Sequence, residues 1–283
     1  MWIRAATAWP VWRQRRRVLA VLAVVEISAL IAPVATWSPV SLADLDLMLT
    51  LASLSVIYSL FVIGWEKARR LLLLERAPAM TPDLRATWCF ASAILLPPSL
   101  AAAVTAVSAF GDWPMRNPIG TRPLYRYLYS TVASSVLAAT VASWTFRCHL
   151  PLGIALPAAA AVWVAIGAGS TILAMCASGQ FDAAKAMLHF HTHRLEFITM
   201  AVATAEYAAQ SIGMPLLIWL SLPITVGIQR YFTTAELRAR EMGARPMGED
   251  AWLHVAQVIV EAAETVSVLR IESADPHTAR TVV

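Results

Sequence analysis

Charged side chains are scarce in this chain of 283 residues. Asp, Glu, Lys and Arg make up 14% of it, whereas hydrophobic residues make up 58%. Soluble globular domains carry roughly 25% charged and about 45–50% apolar residues. The composition therefore lies well outside the range of an ordinary soluble domain.

Cysteine is also rare, and motifs that bind metals or nucleotides are missing. Cys89, Cys148 and Cys176 are isolated and form no CxxC pair, which excludes an obvious zinc or redox motif. The small-residue run at 165–170 is not followed by Lys-Ser or Lys-Thr, so it indicates close helix packing and not a phosphate-binding loop. No Ser-His-Asp order or paired-carboxylate motif is present. We therefore expect no enzyme activity and no cofactor.

The apolar residues occur in blocks of membrane-spanning length. About 20 apolar residues are needed to cross roughly 30 Å of hydrocarbon. The basic segment 1–17 precedes the first block and is expected in the cytoplasm, and the net charge of +4 fits arginines that hold loops inside. We therefore expect no nucleic-acid partner. The blocks cover residues 18–36, 43–64, 87–110, 127–146, 152–177 and 197–228.

Two blocks carry helix-breaking residues at their centres. Pro97-Pro98 interrupts the block 87–110, which predicts either one kinked span or two short helices in a hairpin. Gly213-Met214-Pro215 interrupts the block 197–228, which is too long for one span and predicts two helices.

The distribution of positive charge favours a hairpin at both places. Eight crossings place nearly all lysines and arginines on the cytoplasmic side and leave Arg147 outside, whereas seven crossings export the basic tail. The predicted fold is an all-α polytopic membrane protein of about eight transmembrane helices. Its bundle covers residues 18–230, it lies in the plasma membrane, and both termini are cytoplasmic.

The cytoplasmic tail, residues 231–283, is short. A helix is expected to leave the membrane over residues 229–242, a second helix to cover 251–265, and a strand to cover 266–271. One helix and one strand cannot bury each other, because a lone strand leaves both edges unpaired. We therefore expect the tail to bind a cytoplasmic signalling protein or a second copy of the chain, to lie on the membrane surface, or to stay partly disordered.

The junction between bundle and tail resembles that of actinobacterial membrane-bound diguanylate cyclases, the GGDEF proteins. Gln229-Arg230, Leu237, Trp252, Ala256 and the segment 266–271 follow the order of that family, and the membrane region is similar to its sensor regions. The resemblance implies a polytopic input region joined to a degenerate GGDEF remnant. The Gly-Gly-Asp-Glu-Phe turn that holds nucleotide and metal is absent, so no cyclase activity is expected.

Several ionisable or amide side chains fall inside predicted spans, where they are costly enough to suggest function. Glu26, Glu206 and Gln210 are candidate ligand or proton-binding residues, and Glu206 is preferred because Tyr207 and Gln210 share its helix. Asp44 and Asp46 are candidates for a ligand site at the outer end of the second span. The alternative is a structural role through hydrogen bonds inside the bundle.

A His-x-His-x-His run near Asp182 is the remaining candidate site. On a helix, His189 and His193 would share one face, and in an extended segment His189, His191 and His193 would lie on one side. No cysteine or second acidic cluster completes a metal site, so a histidine-rich interfacial loop is the alternative.

These observations predict a non-catalytic membrane sensor or regulator that passes a ligand or membrane signal to a cytoplasmic partner. A transporter-like or small-ligand-binding membrane component is the main alternative, because short paired helices suit a site built at broken helices. An accessory subunit of a membrane complex is a third.

Overall fold

The computed structural model describes residues 15–73, 84–116, 128–186 and 194–241. Every regular element in these ranges is helical, which confirms the all-α class there. The helix expected at 251–265 and the strand expected at 266–271 lie outside the described residues. The chain divides into two units, Met1–Val226 and Gly227–Val283.

The helices follow the predicted blocks closely. A π-helical turn, Leu128–Ala133, leads into the fifth helix, and a 3-10 helix, Pro215–Leu220, leads into the last one. The second helix continues past Gly64 to Leu73, further than its apolar block. In chain order the helices are α1 (Arg16–Ala35), α2 (Leu42–Leu73), α3 (Ala86–Leu95), α4 (Pro98–Arg116), α5 (Ser134–Phe146), α6 (Leu152–Ser178), α7 (Phe181–Ala186), α8 (Arg194–Ser211) and α9 (Ser221–Glu241).

Among the described residues, three stretches are long and apolar enough to cross a membrane: α1, Leu42–Val62 within α2, and α6. Shorter apolar helices are Ala86–Leu95, Pro98–Phe110 and Ser134–Phe146. Large apolar side chains also point outwards from α1, where Leu30 is 75% exposed and Val34 is 72% exposed. These features are consistent with a membrane protein. The number of eight crossings stays a prediction.

Helix α3 lies at the centre of the bundle. It packs against α2, α4, α5 and α8, and every residue from Thr87 to Ile94 is buried. A helix that is apolar on all sides must be surrounded by protein or lipid, and α3 is surrounded by other helices. Its 10 residues give a length of about 15 Å at 1.5 Å per residue.

The block 87–110 forms a hairpin of α3 and α4. The Arg85 guanidinium donates to the Ser108 carbonyl at 3.0 Å, and the Ser92 hydroxyl lies 3.5 Å from the Ala101 carbonyl, so the two helices run antiparallel. Leu96 is extended, with φ −108° and ψ 155°, because the residue before a proline is forced out of the helical region. Pro98 then occupies the first position of α4, where its fixed φ suits a helix start. The hairpin and not the kinked span is therefore present.

The carbonyls at the turn of this hairpin are bonded by side chains from the end of α5. The Ser143 hydroxyl donates to the Leu96 carbonyl at 2.7 Å, and the Arg147 guanidinium donates to the Leu95 carbonyl at 3.2 Å. A helix end in an apolar bundle needs such partners, because its last carbonyls have no N–H donor inside the helix. The end of α5 therefore holds the break in place.

The block 197–228 is broken where the sequence predicts. Helix α8 ends at Ser211, Gly213 has φ +75°, and the 3-10 helix begins at Pro215. A positive φ costs glycine little, and proline suits the first position of a new helical segment. Glycine and proline together therefore separate α8 from α9.

We predict that Ser143→Ala lowers the free energy of unfolding by about 1–3 kcal/mol, because it leaves the buried Leu96 carbonyl without its donor. Thr145→Val is the matched control, since the Thr145 hydroxyl donates at 2.8 Å only to Val141, a residue of its own helix. Thermal unfolding in detergent micelles measures both. Equal losses for the two variants would contradict the role of Ser143.

Candidate functional site

A carboxyl group without a hydrogen-bond donor lies inside the bundle on α8. Glu206 is 3% exposed, and neither of its carboxyl oxygens has a hydrogen-bond partner among the described residues. Nearly all buried polar side-chain atoms in folded proteins have a partner. Glu206 is therefore an exception that calls for a physical explanation.

The hydroxyl of Ser221, the first residue of α9, acts on the Glu206 carboxyl. That hydroxyl donates its proton to the Ile218 carbonyl at 2.6 Å. It also accepts the indole N–H of Trp88 at 3.1 Å. A serine hydroxyl has one proton and two lone pairs. Ser221 thus has no proton to give to Glu206 but retains one lone pair that can accept a proton from it.

Trp88 is positioned by the buried helix α3. Its side chain has no exposed surface, and its ring packs against Tyr58 of α2 with the centroids 5.1 Å apart. The Tyr58 hydroxyl in turn lies 3.4 Å from the amide nitrogen of Leu84, just before α3 begins. These contacts aim the indole N–H at Ser221, so the α3–α4 hairpin determines how the Ser221 hydroxyl is used.

Gln210 adds a further hydrogen-bond acceptor one helical turn after Glu206. It is half-buried, and its carbonyl oxygen Oε1 has no partner among the described residues. Residues four apart share one face of a helix. Glu206 and Gln210 therefore form a pair of acceptor groups on one face of α8, which we call the acceptor pair.

The helical segments that pack around the acceptor pair contain no positively charged residue, and Arg85, just before α3, donates to the Ser108 carbonyl of α4. Helix α8 packs against α3 and the 3-10 helix, and Tyr207 contacts Phe146 of α5 with ring centroids 5.4 Å apart. None of these three elements contains a lysine, arginine or histidine, nor does the segment 221–226. Arg194, on α8 itself, is twelve residues before Glu206, a distance of about 18 Å along the helix.

An ionised Glu206 would be costly in these surroundings. Removing a carboxylate from water costs several kcal/mol unless donors or an opposite charge compensate. The proton of the adjacent Ser221 hydroxyl is already donated to Ile218, and neither carboxyl oxygen has a hydrogen-bond partner among the described residues. The arrangement therefore suits a neutral carboxyl that donates to Ser221, or a carboxylate bound to a cation from outside the chain.

Glu26 belongs to a different set of contacts. It is half-buried on α1 and acts electrostatically on Tyr129. The buried Tyr129 hydroxyl donates to the Ser170 carbonyl of α6 at 2.7 Å. Tyr129 lies in the π-helical turn before α5, and such turns are frequent at functional sites. The predicted role of Glu26 as a ligand-binding residue stays a prediction.

Asp44 caps helix α2. Its carboxylate accepts the backbone N–H of Ser41 at 2.8 Å and the Ser41 hydroxyl at 2.7 Å, while the Ser41 hydroxyl accepts the Asp44 N–H at 3.1 Å. This reciprocal pattern is a capping box, with aspartate in place of the usual glutamate. The capping box gives Asp44 a structural role. Asp46 is exposed, and its backbone carbonyl accepts the Thr50 hydroxyl at 3.0 Å.

Asp44 and Arg147 attract each other, which places the start of α2 near the loop after α5. Burial lowers the pKa of Arg147, and the negative charge of Asp44 acts in the opposite direction. Since Arg147 also bonds the Leu95 carbonyl, three chain segments come together at this end of the bundle.

The three histidines of the predicted metal site, His189, His191 and His193, lie outside the described residues. In the part of the chain that the structure describes, no group of three or more His, Cys, Asp or Glu is placed to hold a metal ion.

Trp88 and Ser221 are the site residues that sequence reasoning missed. They are 133 positions apart, so no local pattern could pair them. A polar serine directly after a helix break, and a tryptophan at the start of an apolar block, were the available signals.

No family model matches the chain, and no curated protein or solved structure was found to be similar to it. The function must therefore be argued from the geometry of the site.

We predict that Ser221→Ala lowers the free energy of unfolding by about 1–3 kcal/mol, because the buried Trp88 N–H loses its acceptor. Ser211→Ala is the matched control: the exposed Ser211 hydroxyl also bonds the carbonyl three residues back, at 2.8 Å, but no second helix depends on it. Thermal unfolding of the two purified variants gives the comparison. A loss in Ser211→Ala as large as in Ser221→Ala would argue against the link through Trp88.

Proposed function

We propose that this protein is a non-catalytic integral membrane sensor or regulator, whose bundle binds a ligand at Glu206 and passes the change to a cytoplasmic partner. The observation that carries the proposal is the unpartnered Glu206 carboxyl beside Ser221, the first residue of α9. A change in the charge or occupancy of Glu206 would act directly on the start of that helix.

Helix α9 is suited to carry such a change. It is continuous from Ser221 to Glu241, and its sequence becomes charged from Arg230 onwards, as expected of a helix that leaves the membrane. A continuous helix transmits a shift or rotation at one end to the other. The resemblance of the following segment to GGDEF proteins supports an output on another signalling protein or on a second copy of the chain.

The proposed topology has eight crossings in the plasma membrane, with both termini cytoplasmic. The hairpin at Pro97-Pro98 supports it, since Leu95 and Leu96 then lie on the outer side together with Asp44 and Arg147. At about 15 Å, helix α3 reaches only about half of the hydrocarbon thickness, so it is a short crossing enclosed by other helices.

Two native cysteines provide a test of this topology. Cys148 is exposed in the loop between α5 and α6, whereas Cys176 is near the end of α6 beside Arg15 and Arg16. A membrane-impermeant maleimide should label Cys148 in intact cells and Cys176 only after permeabilisation. Cys148→Ser and Cys176→Ser assign the signals. Labelling of Cys176 but not Cys148 in intact cells would reverse the proposed orientation.

A transporter-like or small-ligand-binding component is the second candidate, and the buried broken helix α3 favours it. Transporters build substrate sites at short or interrupted helices in the middle of the membrane. Such a protein should lose binding or transport in Glu206→Ala and keep it when the tail is removed. A regulator should lose its effect when the tail is removed.

The test of the regulatory proposal is purification from native membranes in mild detergent, with the full chain and with residues 243–283 deleted. We expect a protein partner, or a second copy of the chain, to co-elute with the full chain and to be lost with the tail. Deletion of residues 276–283 alone is the control, because it keeps the sequence of the helix expected at 251–265, in which Trp252, Val255 and Ile259 recur at helical spacing.

The outcome separates the two candidates. If the two deletions and the full chain have the same partners and the same oligomeric state, the tail is not the output and the sensor proposal is wrong. A protein that carries only a bound small molecule would favour the ligand-binding component.

A further inference from the structure

We infer that the acceptor pair, Glu206 and Gln210, binds a small monovalent cation, either an alkali metal ion or a primary ammonium group, in exchange for a proton. The inference rests on the proposed function, since it names the ligand class of the same site. It is drawn from the oxygen atoms of Glu206 and Gln210 that have no hydrogen-bond partner among the described residues.

The unpartnered atoms of Glu206 and Gln210 are all acceptors. They are both carboxyl oxygens of Glu206 and the amide oxygen of Gln210. A ligand that complements them must bring a positive charge or N–H donors. An anion or an apolar molecule would leave these oxygens unsatisfied at a position where Glu206 is 3% exposed.

The charged residues in the neighbouring elements favour a ligand that carries a single positive charge. Between their first and last residues, α3, α5, the 3-10 helix and segment 221–226 contain no lysine, arginine or histidine and no carboxylate. Arg85, the buried residue before α3, donates to the Ser108 carbonyl of α4 at 3.0 Å. After Glu196, the only carboxylate of α8 is Glu206. The remaining titratable side chains of these elements are the thiol of Cys89 and the phenol of Tyr207. One carboxylate and one monovalent cation are neutral together, whereas a divalent cation would leave an uncompensated charge in the bundle.

The hydrogen bonds of the Ser221 hydroxyl explain why binding of the cation releases a proton from Glu206. Without a cation, the neutral carboxyl donates its proton to the free lone pair of the Ser221 hydroxyl. When the cation binds, the O–H bond of the carboxyl breaks, the proton leaves to solvent, and the carboxylate oxygens turn to the cation. The net charge of the site is unchanged, and Ser221 loses a hydrogen bond that reached it from α8.

This exchange would alter the contact between α8 and the start of α9. In the neutral state, Glu206 and Trp88 both donate to the Ser221 hydroxyl. In the cation-bound state, only Trp88 does. The cation would therefore be the ligand that loosens or shifts α9 at its first residue.

An apolar carbodiimide tests the inference on the purified full chain, because it reacts with protonated carboxyls in apolar surroundings. In choline chloride, whose quaternary cation has no N–H donor and is larger than the three test cations, we expect labelling of the peptide that contains Glu206. Sodium, potassium and methylammonium chloride are added in separate arms, and peptide mass spectrometry measures the labelled fraction. We expect at least one of these cations to reduce the labelling at least fivefold.

Three variants identify the labelled residue and provide the control. Glu206→Gln should abolish the label on this peptide while the protein stays folded, as shown by an unchanged or higher melting temperature. Gln210→Ala should retain the label but need a several-fold higher concentration of the same cation for protection. Asp46→Asn, at an exposed position, should behave as the wild type.

The inference is overturned if none of the three cations reduces the labelling of Glu206, or if Gln210→Ala is protected as well as the wild type. It is also overturned if Glu206 is not labelled in choline chloride. These results are independent of the tail, so a missing cytoplasmic partner would reject the sensor proposal while leaving the cation site intact. If no cation protects Glu206 from the carbodiimide but a partner still binds through the tail, only the ligand class is rejected and the sensor proposal stands.

Discussion

The hydrogen bond from the Trp88 indole to the Ser221 hydroxyl is the interaction on which the proposed site depends. It joins the buried helix α3 to the first residue of α9 at 3.1 Å. Ser221 donates its proton to the Ile218 carbonyl, and the bond from Trp88 occupies one of its two lone pairs, so one lone pair is all that the hydroxyl can offer to Glu206. The state of one carboxyl is thus tied to the packing of a helix hairpin and to the start of α9.

The broken helices impose a second constraint, since each break exposes backbone groups that an apolar environment cannot hydrate. The chain meets it with local geometry and side chains from elsewhere. At Pro97 the carbonyls of Leu95 and Leu96 receive Arg147 and Ser143. At the end of α6, Gly179 adopts φ +86°, and its N–H and that of Gln180 bond the last carbonyls.

Much of this architecture follows from local sequence signals. Pro97-Pro98 and Gly213-Met214-Pro215 predict both helix breaks, because proline and glycine act on the backbone wherever they occur. The apolar blocks predict most helix bounds, but not the extension of α2 to Leu73, since a helix can continue past its apolar stretch. The role of Asp44 was also visible, because Ser41 and Asp44 have the spacing of a capping box, yet its charge near a span end suggested a ligand site.

The long-range part of the site could not be predicted in this way. Glu206 stands out in the sequence as an ionisable residue in an apolar block, but such a residue can equally be bonded inside a bundle. Its lack of a donor depends on Ser221, whose proton goes to the Ile218 carbonyl. Trp88, from a distant block, occupies one lone pair of the same hydroxyl. Only the three-dimensional arrangement shows that the hydroxyl beside Glu206 has already used its proton.

Infrared difference spectroscopy of the purified protein tests the central claim most directly, since it distinguishes a neutral carboxylic acid from a carboxylate by its carbonyl stretch. At neutral pH in choline chloride, the wild type should show a band of a protonated carboxyl that Glu206→Gln lacks and Asp46→Asn retains. If the wild type and Glu206→Gln have identical spectra in this region, Glu206 is ionised in the absence of a cation. A donor must then reach it, contrary to this account.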